Sequence, residues 1–184
     1  MTEAIIFVIV PLCLAIAAIS DLLTMTIPNR VPAILLGAFV LAAPLAGLSL
    51  AMIGIHLAAG LIVFAVCFAL FAMNIMGGGD AKLLTASAVW FGLNSSLIEF
   101  LVYVSFFGGV LTLLILLMRG RENTILASGL PVPHLLFTAK KIPYGIAIGL
   151  GGFLAYPSSP LMMAAPRPTA LISSYHLDPA VFAS

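Results

Sequence analysis

LAMIGIHLAAGLIVFAVCFALFAM, residues 50–73, contains no Asp, Glu, Lys or Arg. A helix needs about 20 apolar residues to cross the hydrocarbon core of a bilayer, so this stretch reads as a transmembrane span. Working outward, Pro, Gly and polar clusters divide the chain into further apolar runs. Toward the N-terminus lie Val31 to Ala46, ending near Pro44 and Gly47, and Ile5 to Ser20. Toward the C-terminus lie a weak, short run from near Asp80 to Leu93, then Leu97 to Met118, then the Gly-rich Ile142 to Tyr156. The first run lacks the basic flank and cleavage site of a signal peptide and is expected to be retained. The expected fold is all-α: a polytopic membrane protein with about six transmembrane helices.

Composition excludes the alternative of a soluble domain. Hydrophobic residues make up 63% of the 184 positions and charged residues 7%. Roughly a quarter of residues are charged in an ordinary soluble domain. A net charge of +1 offers no basic patch for a phosphate backbone, so nucleic acid is excluded as a partner. Cys13 and Cys67 stand singly inside apolar runs. Together with His56, His134 and His176 they make no metal-ligand cluster, so neither a metal nor a cofactor is expected.

Six crossings put both termini on one side. Arg30, Lys82, Arg119, Arg121, Lys140 and Lys141 fall in the linkers after the first, third and fifth spans, against Arg167 alone on the other side. Basic residues favour the cytoplasmic side, so those linkers are expected inside and both termini outside. A five-span version, with the fourth run re-entrant, would place Lys140 and Lys141 on the wrong face. Residues 1–156 then form a membrane-embedded domain with a cytoplasmic loop at 119–141. Residues 157–184 form an extracytoplasmic, Pro-rich, loosely ordered tail.

This topology brings two acids to one face. Asp21 leaves the first span and is followed by Ile27-Pro28-Asn29; Asp80 enters the fourth, after Gly77-Gly78-Gly79. Two carboxylates at hydrogen-bonding distance share a proton. The ionised one can activate water as a base, and the protonated one can donate to a peptide carbonyl and then to the leaving amine. The glycines are expected to take positive φ and admit an extended substrate. They do not make a phosphate loop, because no Lys-Ser/Thr pair follows. Pro28 fixes the chain, Asn29 is positioned to cap the next helix, and Asn74 is close enough in sequence to orient Asp80. Lys82 either marks the inner face or pairs with a carboxylate. The plainer reading of each aspartate is a cap or boundary charge, and a transporter with two ion-binding carboxylates would show the same pair.

The strings Asp21…Ile27-Pro28-Asn29, Gly77-x-Gly79-Asp80-x-Lys82 and Pro143-Tyr144-Gly145-Ile146-Ala147 together resemble the type IV prepilin peptidases. The resemblance covers about residues 5–155. It implies an inner-membrane aspartic endopeptidase of bacteria that cuts the basic leader from prepilins at the cytoplasmic face, with Asp21 and Asp80 as the catalytic dyad and no metal. Longer members add a cytoplasmic insertion with Cys-x-x-Cys pairs and N-methylate the product. This chain resembles the short form, known as CpaA or TadV, of the tight-adherence (Flp) pilus system, so N-methyltransferase activity is not expected. The implied partners are a prepilin, with an apolar transmembrane helix beside its basic leader, the lipid bilayer and the pilus assembly machinery.

Other residues have simpler readings. His56 is expected to be a neutral histidine hydrogen-bonded between helices. Trp90 and Phe91 read as an interface anchor. Gly145 and Gly149 form a Gly-x-x-x-Gly face for close helix packing. Without the resemblance, two other classes stay open: a small membrane transporter, and a non-catalytic scaffold of a pilus or secretion assembly.

Overall fold

A computed structural model describes residues 5–120 and 142–164. Among these residues the fold is all-helical. A single π-helical turn, Ile5–Ile9, leads into α1 (Val10–Thr24). There follow α2 (Arg30–Leu45), α3 (Leu50–Ala72), α4 (Gly78–Phe91), α5 (Ser95–Gly120) and α6 (Tyr144–Ala155). A 3-10 turn (Tyr156–Ser158) and a short α7 (Pro160–Ala164) complete the described chain, with Leu161 and Ser159 buried. The greater part of the 119–141 loop, and the tail beyond Ala164, lie outside the described residues.

Among the described residues, three helical stretches are long and apolar enough to cross a membrane: Ile6–Thr24, Leu50–Ala72 and Ser95–Gly120. They alternate with the shorter α2, α4 and α6. At 1.5 Å per residue, the 14 residues of α4 span about 21 Å, short of the roughly 30 Å hydrocarbon thickness. A helix sheathed by protein need not match the lipid, and α4 is so sheathed. It packs against α3 on one side and α2 on another, and ten of its residues are buried.

Local chemistry sets the helix ends. α1 runs beyond Ser20 because Thr24 Oγ1 donates to Ser20 O (2.8 Å) and Ser20 Oγ to Thr26 O (2.9 Å). These polar side chains satisfy themselves on the backbone, so Asp21 lies in the last turn of the helix rather than after it. Met25, at φ 53°, closes α1 with its N–H on Asp21 O. Ser49 Oγ accepts from Met52 N at the start of α3, and Gly92, at φ 69°, ends α4.

The short helices are parallel to one another and antiparallel to the long ones. Tyr156, past the end of α6, donates its hydroxyl to Ile6 O (2.6 Å), while Gly145, at the start of α6, meets Asp21 at the end of α1. Lys82 and Trp90, from opposite ends of α4, bond to Asn29 and Leu35, at the start and in the middle of α2. Ile6 and Tyr156 therefore mark one end of the bundle, and Asp21, Asp80 and Gly145 the other.

Lipid tails are as apolar as Leu, so cohesion here comes from close packing rather than expulsion of water. Glycines supply it. A Cβ on Gly60 would lie 2.5 Å from Val89 Cγ2 (α3 on α4), and one on Gly151 2.8 Å from Val104 N (α6 on α5). At the end remote from the aspartates, aromatic rings fill the core. Phe39 stacks on His56 (5.4 Å between centroids) and meets Trp90 edge-on (5.8 Å). His56 Nδ1 bonds to Val89 O (2.7 Å). Trp90 and Phe91 are fully buried rather than anchored at an interface. Trp90 Nε1 donates to Leu35 O (3.1 Å), and Phe91 stacks on Phe100 (4.5 Å). Their place in the sequence suggested a helix end at the membrane surface; the sheathing of α4 puts that end inside protein.

Candidate active site

At the other end, Asp21 and Asp80 line one cavity of about 260 Å³. The connection from α1 to α2 supplies Met25, Thr26, Ile27 and Asn29; the start of α4 supplies Gly77, Gly78 and Gly79; Ile142 closes it ahead of α6. Both carboxylates are shielded, with Asp21 4% and Asp80 9% exposed. Burying an ionisable group is costly without polar partners, so two shielded acids in one cavity make a candidate functional site.

Asp21 has a defined anchor. Gly145 N donates to its Oδ2 at 2.7 Å. The first N–H groups of a helix have no partner within the helix, and a carboxylate placed there is favoured. Gly145 also has to be glycine on steric grounds: a Cβ would stand 2.8 Å from both Asp21 Cβ and Oδ2. Four residues on, a Cβ on Gly149 would lie 3.0 Å from Ala18 Cβ and 3.2 Å from Leu14 O. The two glycines thus face α1 along one line.

Asp80 sits in the first turn of α4. The three glycines before it do not take positive φ; Gly77 is extended at φ −72°, ψ 145°, and Gly78 and Gly79 are helical. Crowding explains them instead. A Cβ on Gly77 would meet Asp80 Oδ2 (2.7 Å), one on Gly78 the Phe71 ring (3.3 Å), and one on Gly79 Ile27 Cβ (3.2 Å). The last contact joins the two acid-bearing segments, because Ile27 follows Asp21 in the chain.

Asn29 does not cap α2 with its side chain. Its Oδ1 accepts from Lys82 Nζ at 2.9 Å, tying the starts of α2 and α4, while Pro28 O takes the N–H of Val31. Asn74, at φ 59°, lines an adjoining cavity of about 180 Å³ with Met76, Gly77, Asp80, Ile142 and Tyr144. Sequence reasoning missed Thr26, Ile142 and the N–H of Gly145 as parts of this site. The Pro143-Tyr144-Gly145 string, opening a helix, was the signal available for the last.

Apolar helices of membrane-spanning length define a helical membrane protein, and two shielded carboxylates line a cavity at one end of its bundle. The sequence model of the type IV leader peptidase family matches residues 8–113, more than half of the chain and inclusive of both aspartates. The chain belongs to this family and is a membrane protease of the leader-peptidase type, with a prepilin as its class of substrate. No curated protein and no solved structure matches it.

Proposed function

We propose that this chain is an aspartic endopeptidase that removes the leader from Flp-type prepilins at the cytoplasmic face of a bacterial inner membrane. One observation carries the reading: Asp21 and Asp80, from separate helices, line the same small, shielded cavity. The acid that is ionised takes a proton from water, and the resulting hydroxide adds to the scissile carbonyl carbon. The other acid protonates the carbonyl oxygen. Collapse of the tetrahedral intermediate breaks the C–N bond, and the leaving amine takes up a proton from the dyad. Gly145 N–H holds the Asp21 carboxylate in one orientation through this cycle. Gly77 leaves room for that of Asp80.

All six helices cross the membrane in this reading, with both termini outside. The end of the bundle carrying Asp21 and Asp80 faces the cytoplasm, as the positions of Arg30, Lys82 and Arg119 favour. Residues 1–156 are the catalytic membrane domain and 157–184 an extracytoplasmic extension, whose start packs back on that domain through the buried Ser159 and Leu161. The absence of a second cysteine near Cys13 or Cys67 supports leader cleavage without N-methylation, as in the CpaA/TadV-like short form. Pilus assembly machinery is the downstream partner.

The test is co-expression with a Flp-type prepilin and gel-shift detection of leader loss. Asp21→Asn and Asp80→Asn should each abolish cleavage while the protein stays in the membrane. Normal processing by either variant sinks the dyad assignment. Loss of a proton or cation flux instead of cleavage would favour a transporter.

A further inference from the structure

The long helices α3 and α5 make little contact with each other, and between them lies an open groove of about 560 Å³. α5 from Leu101 to Leu116 forms one wall, and Leu70 of α3 with Leu84 of α4 bounds the other side. At 1.5 Å per residue the α5 wall is about 22 Å long, most of a hydrocarbon core. Between Leu101 and Val104 on one side and Leu113 and Leu116 on the other, the wall is low. Ser105, Gly108, Gly109 and Thr112 line it, and the space beyond the Cα of Gly109 is empty for 4 Å. Ser105 Oγ donates to Leu101 O (2.8 Å) and Thr112 Oγ1 to Gly108 O (2.6 Å), so both hydroxyl protons are directed onto the helix's own backbone, while Thr112 Oγ1 also meets the Tyr144 hydroxyl. Of the three membrane-length helices, α5 has the smallest buried share, 17%.

The groove opens toward the acids. Met76 and Tyr144 belong both to it and to the cavity beside Asp80. That cavity in turn shares Gly77, Asp80 and Ile142 with the one holding Asp21. Tyr144 stands at the junction, with its ring against Gly108 and its hydroxyl 3.4 Å from Thr112 Oγ1. The next residue, Gly145, holds Asp21.

We propose that the α3–α5 groove seats the apolar membrane helix of the substrate, and that the chain leaving this helix passes Met76 and Tyr144 to reach Asp80 and Asp21. The proposal rests on the leader-peptidase reading and adds the place where the substrate lies. Fluid lipid tails fill any wall, large or small. A low wall of Gly and Ser is what another helix needs for backbone approach. Continuity with the acid cavity gives that helix a destination, which a lipid does not have.

The experiment places a photo-crosslinking amino acid at Gly109, and as control at Gly54 of α3, where space is also open. Both are made in the Asp21→Asn background and co-expressed with a Flp-type prepilin. Position 109 should give an adduct that maps to the prepilin's apolar segment, at about tenfold the yield of position 54. Equal yields, or lipid adducts alone at 109, overturn the proposal. In the otherwise wild-type chain, Gly109→Trp should slow processing at limiting prepilin about tenfold, with membrane abundance unchanged and Gly54→Trp unaffected. Unchanged processing by Gly109→Trp also overturns it. Failure of the peptidase reading shows separately, as an intact leader with the wild-type chain.

Discussion

Gly145→Ala tests whether α6 serves the acid site or merely packs near it. The added Cβ would lie 2.8 Å from Asp21 Cβ and Oδ2. Asp21 Cβ is fixed to the backbone of α1 and cannot swing away. Either the carboxylate turns off the Gly145 N–H or α6 retreats, and both outcomes lose the 2.7 Å bond. A hydrogen bond to a charged group contributes about 1.5–3 kcal/mol. At about 1.4 kcal/mol per decade, the rate of leader removal per enzyme should fall roughly 10- to 150-fold. The assay is the initial rate on purified prepilin in proteoliposomes, normalised to enzyme. Gly149→Ala is the control. It crowds Ala18 Cβ at 3.0 Å in the same interface but touches no carboxylate. It should lower thermal stability and spare most of the rate. A Gly145→Ala rate within about twofold of wild type, or equal damage from Gly149→Ala, would refute the reasoning.

Other outcomes follow from the same geometry. Met25 holds a left-handed conformation at φ 53°, so Met25→Gly should stabilise the protein in detergent by about 1 kcal/mol in a thermal unfolding series. Lys82→Met removes the exposed bond to Asn29 and should cost only about 0.5–1.5 kcal/mol of stability in the same series. A kcat that collapsed with KM and stability unchanged would show instead that Lys82 acts in the reaction. If the acids work as a coupled pair, kcat/KM against pH should show two ionisations, one on each limb, and a single one would count against the pair.

The apolar runs made the helices legible, and alternation of their direction made it legible that Asp21 and Asp80 share an end. Hydropathy placed the end of α1 too early, because it cannot see Ser20 and Thr24 turning their hydroxyls back onto the backbone. The fourth run looked weak as a span because α4 is short, yet it is the most enclosed of the described main helices. What surrounds a helix is a property of the fold and leaves no mark in its own string, which is why Trp90 looked like a surface anchor. Gly77, Gly78 and Gly79 were legible as important, but the reason given for them was φ, whereas three different neighbours crowd their missing side chains. Gly145 was legible as a packing residue. Its N–H became a site group only when α6 was seen to begin where α1 ends.

The bond from Gly145 to Asp21 joins positions 124 apart. During synthesis, both aspartates leave the ribosome well before Gly145 does. Until α6 has packed against α1, nothing at position 145 can fix the orientation of the Asp21 carboxylate. A nascent or truncated chain ending before residue 145 therefore carries both acids without the N–H that sets one of them. Formation of this bond is thereby coupled to translation of α6.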